Sequence, residues 1–127
     1  MIRYLKNGEV SEESIHKSII EWINISPPLK DFRNFIIHIP NQGKRTARFG
    51  RKLKDMGMRK GVSDLFIAAP KRGYSGAWIE LKSKHGILSK DQFDFLQDMT
   101  SQNYCTNVCK SYDECIEFIH WYLELKK

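Results

Sequence analysis

The chain has 127 residues, with 21 Lys and Arg against 15 Asp and Glu, and its formal net charge is +6. We expect a single domain over residues 1–127, and the 41% hydrophobic and 12% aromatic content excludes an intrinsically disordered chain. The sequence has no apolar run long enough to span a membrane, no signal-peptide pattern near its N-terminus and only three cysteines. These features predict a cytoplasmic protein that does not bind a membrane.

The positive charge is concentrated in one segment. Residues 44–60 hold eight basic residues and one acidic residue, a net charge of +7, whereas the other 110 residues sum to −1. A concentrated basic patch is typical of a protein that binds a polyanion. A solvated loop that improves solubility is the alternative, and charge alone does not separate the two.

The first half of the chain predicts a helix, a strand and a basic segment. Residues 11–25 carry apolar residues at helical spacing after an N-cap at Ser11. Residues 33–39 are rich in β-branched and aromatic side chains and end before a proline, which predicts a strand. In the basic segment 41–61, a short helix is predicted to end at Gly57. Its apolar positions are Phe49, Leu53 and Met56.

Residues 64–70 and 77–83 predict the two strands of a β-hairpin with a long loop. Ser89 and Gln92 have the spacing of a capping box, which predicts that a helix begins after Ser89. The apolar face of this helix is expected to contain Phe93, Leu96 and Met99.

The end of the chain predicts one more strand and one more helix. Residues 104–110 form the strand, and a second capping box, Ser111 with Glu114, begins a helix that runs to about Leu125. Its predicted buried residues are Cys115, Phe118, Ile119 and Tyr122. The element order α-β-β-β-α-β-α, with the basic segment after the first strand, predicts one α/β domain.

Two carboxylates and a lysine fall on the predicted hairpin. Side chains alternate along a strand, so Glu80 and Lys82 share a face. If paired residue numbers sum to 144 or 146, Asp64 lies opposite Glu80 or Lys82 and all three emerge on that face. Adjacent carboxylates repel each other unless a cation lies between them, and a hard divalent ion with oxygen ligands is the usual solution. A salt-bridged surface hairpin is the alternative for so short a pattern.

The first helix offers a third carboxylate. At about 100° per residue, Glu12 lies within about 20° of the centre of the apolar face, whereas Glu13 points about 100° away. An acid on the inward face of a helix needs a partner or a cation. Glu12 is therefore the candidate, and Glu13 is expected at the surface.

Four segments carry a family resemblance: HIPNQGKR (38–45), MGMRKGVSDLFIA (56–68), GAWIELKSKHG (76–86) and LSKDQFDFLQDM (88–99). They resemble the VRR-NUC family, virus-type replication-repair nucleases of the PD-(D/E)xK superfamily, and most of all its short stand-alone phage and bacterial forms. The resemblance runs from about Glu12 to the last helix. It implies a restriction-endonuclease-like α/β core, with a mixed central sheet flanked by helices.

The resemblance also implies roles for particular residues. Asp64, Glu80 and the backbone carbonyl of Leu81 would bind the metal, and Glu12 would match the acid of the first helix. Lys82 would orient or deprotonate the attacking water. Gln92 would match a glutamine near the nucleophile, although the residues alone equally allow a purely capping role. Ser63 replaces the proline of the superfamily name, which is not a metal ligand.

Further residues are assigned less specific roles. Clustered Lys and Arg contact phosphates more often than bases. Asn41 and Gly43 either shape a turn or bind a phosphate, and the roles of His16 and His38 stay open. The basic residues expected to bind nucleic acid are Lys44, Arg45, Arg48, Arg51 and Lys52. The three cysteines and His120 lack the spacing of common zinc sites, and the cysteines are expected to be core thiols.

Taken with the resemblance, the sequence predicts a Mg²⁺-dependent DNA endonuclease, with Mn²⁺ as an alternative ion and no small-molecule cofactor. The expected substrate is branched, flapped or junction DNA, and the expected assembly is a homodimer in the cytoplasm of a bacterial or phage-infected cell. A non-catalytic nucleic-acid-binding module and an RNA-directed nuclease are the alternatives.

Overall fold

The computed structural model of the protein describes residues 8–40 and 47–125. These residues form four α-helices and four strands. The helices are α1 (Glu12–Ile25), α2 (Ala47–Asp55), α3 (Lys90–Ser101) and α4 (Tyr112–Leu123). The strands are β1 (Ile36–His38), β2 (Leu65–Ile67), β3 (Ala77–Leu81) and β4 (Cys105–Cys109). The predicted element order is therefore confirmed, with α2 as the helix of the basic segment.

The strands form one mixed sheet in the order β1-β2-β3-β4. The first three strands pair antiparallel, and β4 pairs parallel to β3 after the crossover through α3. The β2–β3 register pairs Leu65 with Ile79 and Phe66 with Trp78. These paired numbers sum to 144, one of the two registers predicted from the sequence.

The sheet separates two apolar layers. One face, together with α1 and α4, forms the main core, in which Ile19, Leu65, Ile79 and Ile119 are fully buried. On the other face, the Trp78 ring packs against Phe66 and against Phe95 of α3. The ring centroids are 4.4 Å apart in the first pair and 4.9 Å apart in the second. Trp78 therefore supports α3 over the sheet.

Local capping explains where the helices begin. The Ser11 hydroxyl accepts a hydrogen bond from the Ser14 amide, and the Ser89 and Gln92 side chains form a complete capping box. At the start of α4 the Ser111 hydroxyl accepts from the Glu114 amide, but the Glu114 carboxylate accepts from the Lys110 amide instead of Ser111. The second capping box is thus only half formed.

The strand predicted over 33–39 is shorter than expected. Residues 33–35 form a 3₁₀ turn, and only Ile36–His38 join the sheet. The cause is Arg33, whose guanidinium donates hydrogen bonds to the carbonyls of Ile23 (2.8 Å) and Ser26 (2.9 Å). These bonds satisfy carbonyls at the end of α1 and hold the segment against the helix.

The predicted apolar face of α3 is rotated. Phe93 is 51% exposed, whereas Leu96 is buried and Phe95 packs on the sheet. Phe95 lies about 160° from Phe93 around a helix, so a helix that turns Phe95 inward turns Phe93 outward. In α4, Cys115, Ile119 and Tyr122 are buried as expected, and Phe118 is half-buried.

Candidate active site

The candidate site lies where β2 begins and β3 ends. Asp64 immediately precedes β2, and the register extended by one residue places it opposite Glu80 of β3. Asp64 is 3% exposed and Glu80 is 0% exposed. The antiparallel pairing therefore brings two buried carboxyl groups to the same end of the sheet, on the face predicted from strand alternation.

Asp64 is held by the backbone of the neighbouring strand. Its Oδ2 accepts a hydrogen bond of 2.7 Å from the Leu81 amide. Burial raises the pKa of Asp64 above its usual value, and the Leu81 amide and the Lys82 ammonium oppose this rise. The hydrogen bond fixes the orientation of the carboxyl group relative to β3.

Among the acids of the site, Glu80 has the most strongly raised pKa. Its Oε1 accepts a hydrogen bond of 2.9 Å from Nε2 of Gln92, while Oε2 is buried and has no hydrogen-bond partner among the described residues. Burial, followed by the nearby charge of Asp64, raises the pKa of Glu80 to about 8, against the opposing charge of Lys82. A buried carboxylate oxygen without a donor is energetically costly and suits a cation.

Lys82 lies between the acids of two elements. Its Nζ is 3.9 Å from Oε1 of Glu80 and 3.6 Å from Oε1 of Glu12, and its side chain is only 11% exposed. Both separations are long for a direct hydrogen bond, so the ammonium acts on both acids chiefly through its charge. This positive group partly offsets the repulsion among the carboxylates.

The geometry separates the two acids of the first helix as predicted. Glu12 reaches the site through Lys82 and is 40% exposed at its side chain. Glu13 pairs with Lys17 one turn along α1 at 3.0 Å, with both side chains more than half exposed. The inward direction of Glu12 is thus confirmed, whereas its participation in a metal site stays a prediction.

Gln92 combines the two roles that the sequence left as alternatives. Its Oε1 accepts from the Ser89 amide (2.9 Å) and closes the capping box, while its Nε2 donates to Glu80. The amide group has both an acceptor and a donor, so one side chain fills both positions. Glutamate at this position would lack the donor.

Two histidines that the sequence left without a role lie at the edge of the site. The rings of His16 and His38 pack edge to face with their centroids 4.4 Å apart. Burial and the neighbouring His38 lower the pKa of His16, and the charge of His38 weakly opposes the rise in the pKa of Asp64. The only sequence signal for this pair is the position of His16 one helical turn after Glu12.

The basic residues are only partly within the described chain. Arg48, Arg51 and Lys52 lie on α2 and are exposed. The other predicted nucleic-acid contacts lie outside the described residues: Asn41, Gly43, Lys44 and Arg45. The three cysteines are buried free thiols, as expected.

The carboxylate oxygens of the site fit a hard divalent cation as ligands. Two adjacent carboxyl groups with raised pKa values, one of them with an unpartnered buried oxygen, form an oxygen-rich site of the kind that Mg²⁺ prefers. Within residues 8–40 and 47–125, no three His, Cys, Asp or Glu side chains form a cluster that could bind a metal. Backbone carbonyl groups and water would have to complete the coordination, which is usual for Mg²⁺.

Comparison with known proteins identifies the family. The VRR-NUC domain profile matches residues 10–113, most of the chain, and the protein therefore belongs to this family of nuclease domains. A solved structure described as a VRR_NUC domain protein has a TM-score of 0.78 and 24% sequence identity, over 94% of this chain and 93% of its own. This likeness concerns the fold, and it confirms the predicted mixed α/β core. No curated protein matches the chain.

Proposed function

We propose that the protein is a Mg²⁺-dependent DNA endonuclease that hydrolyses phosphodiester bonds. The observation that carries this proposal is the buried pair Asp64 and Glu80, whose carboxyl groups share one end of the sheet with the Lys82 ammonium. Membership of a nuclease family supports hydrolysis, and the patch of Lys and Arg supports a nucleic-acid substrate. In the described residues no helix could cross a bilayer.

The proposed metal ligands are Asp64, Glu80 and the carbonyl of Leu81, with Glu12 contributing directly or through water. When bound, Mg²⁺ would polarise the scissile phosphate and lower the pKa of a coordinated water. The carboxyl groups are oriented for this role because the Leu81 amide of β3 donates to Asp64 and the Gln92 side chain of α3 donates to Glu80. A cation would also remove the cost of ionising the buried Glu80.

Lys82 and Gln92 act on the reacting groups and on Glu80. The Lys82 ammonium is almost enclosed and close to two acids. It would neutralise charge that develops on the phosphate and orient the attacking water. Gln92 holds one oxygen of Glu80 and leaves the other available to the cation. In this proposal Asp64 and Glu80 bind the metal ion, Lys82 stabilises the charge that develops on the phosphate, and Gln92 positions Glu80 as a metal ligand.

We further propose that the enzyme selects branched, flapped or four-way-junction DNA, and that it acts as a homodimer. Exposed Arg and Lys residues on α2 would contact phosphates and would not read bases. One site cuts one strand, so paired cuts at a junction require two copies.

The test is cleavage of labelled linear duplex, flapped and four-way-junction DNA and of a matched RNA, each with Mg²⁺, Mn²⁺ or EDTA. We expect Mg²⁺-dependent cleavage of branched DNA, loss of cleavage in Asp64→Asn and Lys82→Met, and full activity in the control Glu117→Gln. Glu117 is an exposed residue of α4. The molar mass of the protein–DNA complex, measured by light scattering, tests the dimer.

Three outcomes would overturn parts of this proposal. Cleavage that survives EDTA or persists in both variants would exclude the metal mechanism. Binding without cleavage on every substrate would favour a non-catalytic module. Preferential cleavage of the RNA would assign the protein to RNA processing.

A further inference from the structure

Ser63 is a buried residue to which the proposed mechanism assigns no role. Its exposed fraction is 0%. The described residues contain four buried side-chain atoms without a hydrogen-bond partner, and Oγ of Ser63 is one of them. A hydroxyl group that leaves water without a compensating hydrogen bond costs free energy. One physical explanation for such an atom in a native protein is an ion that binds there.

The backbone on both sides of Ser63 is fixed. Two residues earlier, Gly61 packs on Asp91 at the start of α3, and a Cβ built on Gly61 would lie only 2.3 Å from the Asp91 carbonyl oxygen. One residue later, the carboxyl group of Asp64 accepts the hydrogen bond from the Leu81 amide at the end of β3. The chain around Ser63 is therefore held between the start of α3 and the end of β3, the two elements that meet at the candidate site.

The Ser63 hydroxyl lies near the carboxyl group of Glu80. Burial raises the pKa of Glu80, and the Ser63 hydroxyl is among the groups that oppose this rise. No hydrogen bond of ordinary distance and angle joins the two side chains, because Oε1 of Glu80 accepts from Gln92 and Oε2 has no partner among the described residues. Two buried oxygen atoms, Oγ of Ser63 and Oε2 of Glu80, are thus close together and unsatisfied.

A divalent ion would satisfy both atoms. Oxygen atoms are the ligands that Mg²⁺ prefers, and the serine or threonine hydroxyl of phosphate-binding loops is one example. A neutral hydroxyl adds an oxygen atom without adding negative charge, so it does not increase the repulsion between Asp64 and Glu80. The described His, Cys, Asp and Glu side chains form no metal cluster of three. A ligand from another residue type would therefore help to complete the site.

We propose that Ser63 is a further residue of the divalent-ion site, where its Oγ binds the ion, directly or through a coordinated water, beside Oε2 of Glu80. This inference rests on the proposed function, because it adds a residue to the cation site of that proposal. The proline of the superfamily name has no oxygen atom in its side chain. The contribution is therefore specific to a serine at position 63.

A buried water that bridges the two side chains is the alternative partner. Such a water would satisfy both groups in the metal-free protein and would be costly to remove. The two explanations predict different effects of removing the hydroxyl. If the partner is an ion, Ser63→Ala removes an unsatisfied group and does not destabilise the metal-free protein. If the partner is a water, Ser63→Ala breaks a hydrogen bond and lowers the stability of that form.

The experiment measures divalent-ion binding without DNA, so the result does not depend on catalysis. Mn²⁺ is the probe, because the electron paramagnetic resonance signal of the free ion reports its concentration, and Mg²⁺ is then added as a competitor. We expect Ser63→Ala to weaken the binding of both ions about 10- to 100-fold, the range typical for loss of a group that supports metal ligands.

The matched control is Ser14→Ala. Ser14 is also a buried serine, with an exposed fraction of 4%, but its Oγ accepts a hydrogen bond of 3.1 Å from the Ser11 hydroxyl. This variant should leave ion binding unchanged. It shows whether the loss of any buried serine hydroxyl weakens the site.

Urea unfolding in EDTA completes the test and verifies that each variant is folded. Ser63→Ala should unfold at the same urea concentration as the wild type or at a higher one. Equal Mn²⁺ affinity in Ser63→Ala and wild type would overturn the proposal. So would earlier unfolding of Ser63→Ala with unchanged ion binding, which would assign the hydroxyl to a bridging water. A wild type that binds no Mn²⁺ would overturn both this inference and the metal mechanism.

The result is separable from the fate of the proposed function. Ion binding that depends on Ser63, in a protein that cleaves no nucleic acid, would support this inference and reject the endonuclease. Mg²⁺-dependent cleavage with an ion affinity that does not depend on Ser63 would do the reverse.

Discussion

Replacing Glu80 with glutamine should stabilise the metal-free protein at alkaline pH and have little effect at acid pH. The pKa of Glu80 is raised from 4.5 to about 8 in the folded protein, chiefly by burial. Between these two pH values the folded state keeps a proton that the unfolded state has lost. Stability therefore falls as pH rises through this window, and the loss is complete above about pH 8. Glutamine does not ionise and removes this dependence.

The size of the effect follows from the pKa difference. A rise from 4.5 to about 8 corresponds to a ceiling of about 5 kcal/mol, at about 1.4 kcal/mol per pH unit. Glu80 and Asp64 titrate as a pair. Structural relaxation around one ionised carboxyl group therefore reduces the free-energy cost of ionising the other. We expect the variant to gain about 1 to 5 kcal/mol over the wild type at pH 8.5. For a domain of this size the gain raises Tm by at least about 3 °C.

The assay is urea unfolding in EDTA at intervals from pH 4.5 to pH 9, for wild type, Glu80→Gln and the exposed control Glu117→Gln. Added Mg²⁺ should then stabilise the wild type at pH 8 and leave Glu80→Gln unaffected, because a ligand stabilises only the state that binds it. A stability difference that stays constant across the pH range would refute the reasoning. So would a Glu80→Gln protein less stable than wild type at pH 8.5.

Three further changes test the site and its supports. Lys82→Met should lower the single-turnover rate constant of cleavage about 100- to 1,000-fold and leave DNA binding intact. A loss under fivefold would contradict the proposed role of Lys82 in stabilising charge on the phosphate. Gln92→Ala and Ser89→Ala should each cost about 1 kcal/mol in urea unfolding through the lost cap, but Gln92→Ala should reduce cleavage more than Ser89→Ala because it alone removes the donor to Glu80. Gly61→Ala should destabilise by several kcal/mol, against about 1 to 2 for Gly73→Ala. Both glycines have φ near +80°, but only Gly61 lies against another backbone segment, that of Asp91. Equal losses of stability in the two variants would contradict the close packing of Gly61 on Asp91.

Local rules accounted for much of what the sequence predicted correctly. Strand alternation and an even register were enough to place Asp64 and Glu80 on one face, and the sum of 144 agrees with that reasoning. Helical spacing alone separated Glu12 from Glu13. Helix starts at Ser11 and Ser89 depend on side chains within three residues, so they too could be read from the sequence.

Features that depend on distant parts of the chain could not be read in this way. The strand after α1 is short because Arg33 bonds to carbonyls ten and seven residues earlier. Phe93 is exposed because Phe95 packs against Trp78 on the sheet, which turns Phe93 to the opposite side of the helix. The contact between His16 and His38 joins a helix to the first strand, and no local pattern predicts that these rings meet.

Gln92 links the stability of the first turn of α3 to the orientation of the Glu80 carboxyl group. The same amide group closes the first turn of α3 and holds Oε1 of Glu80, so fraying of that turn withdraws the donor from the carboxyl group. Helix ends open far more often than the protein unfolds. The fraction of molecules with Glu80 correctly held is therefore limited by the opening equilibrium of one helical turn, which hydrogen exchange at the Ser89 amide would report. Sequence changes in the first turn of α3 could thus alter the site without touching any residue that faces the substrate.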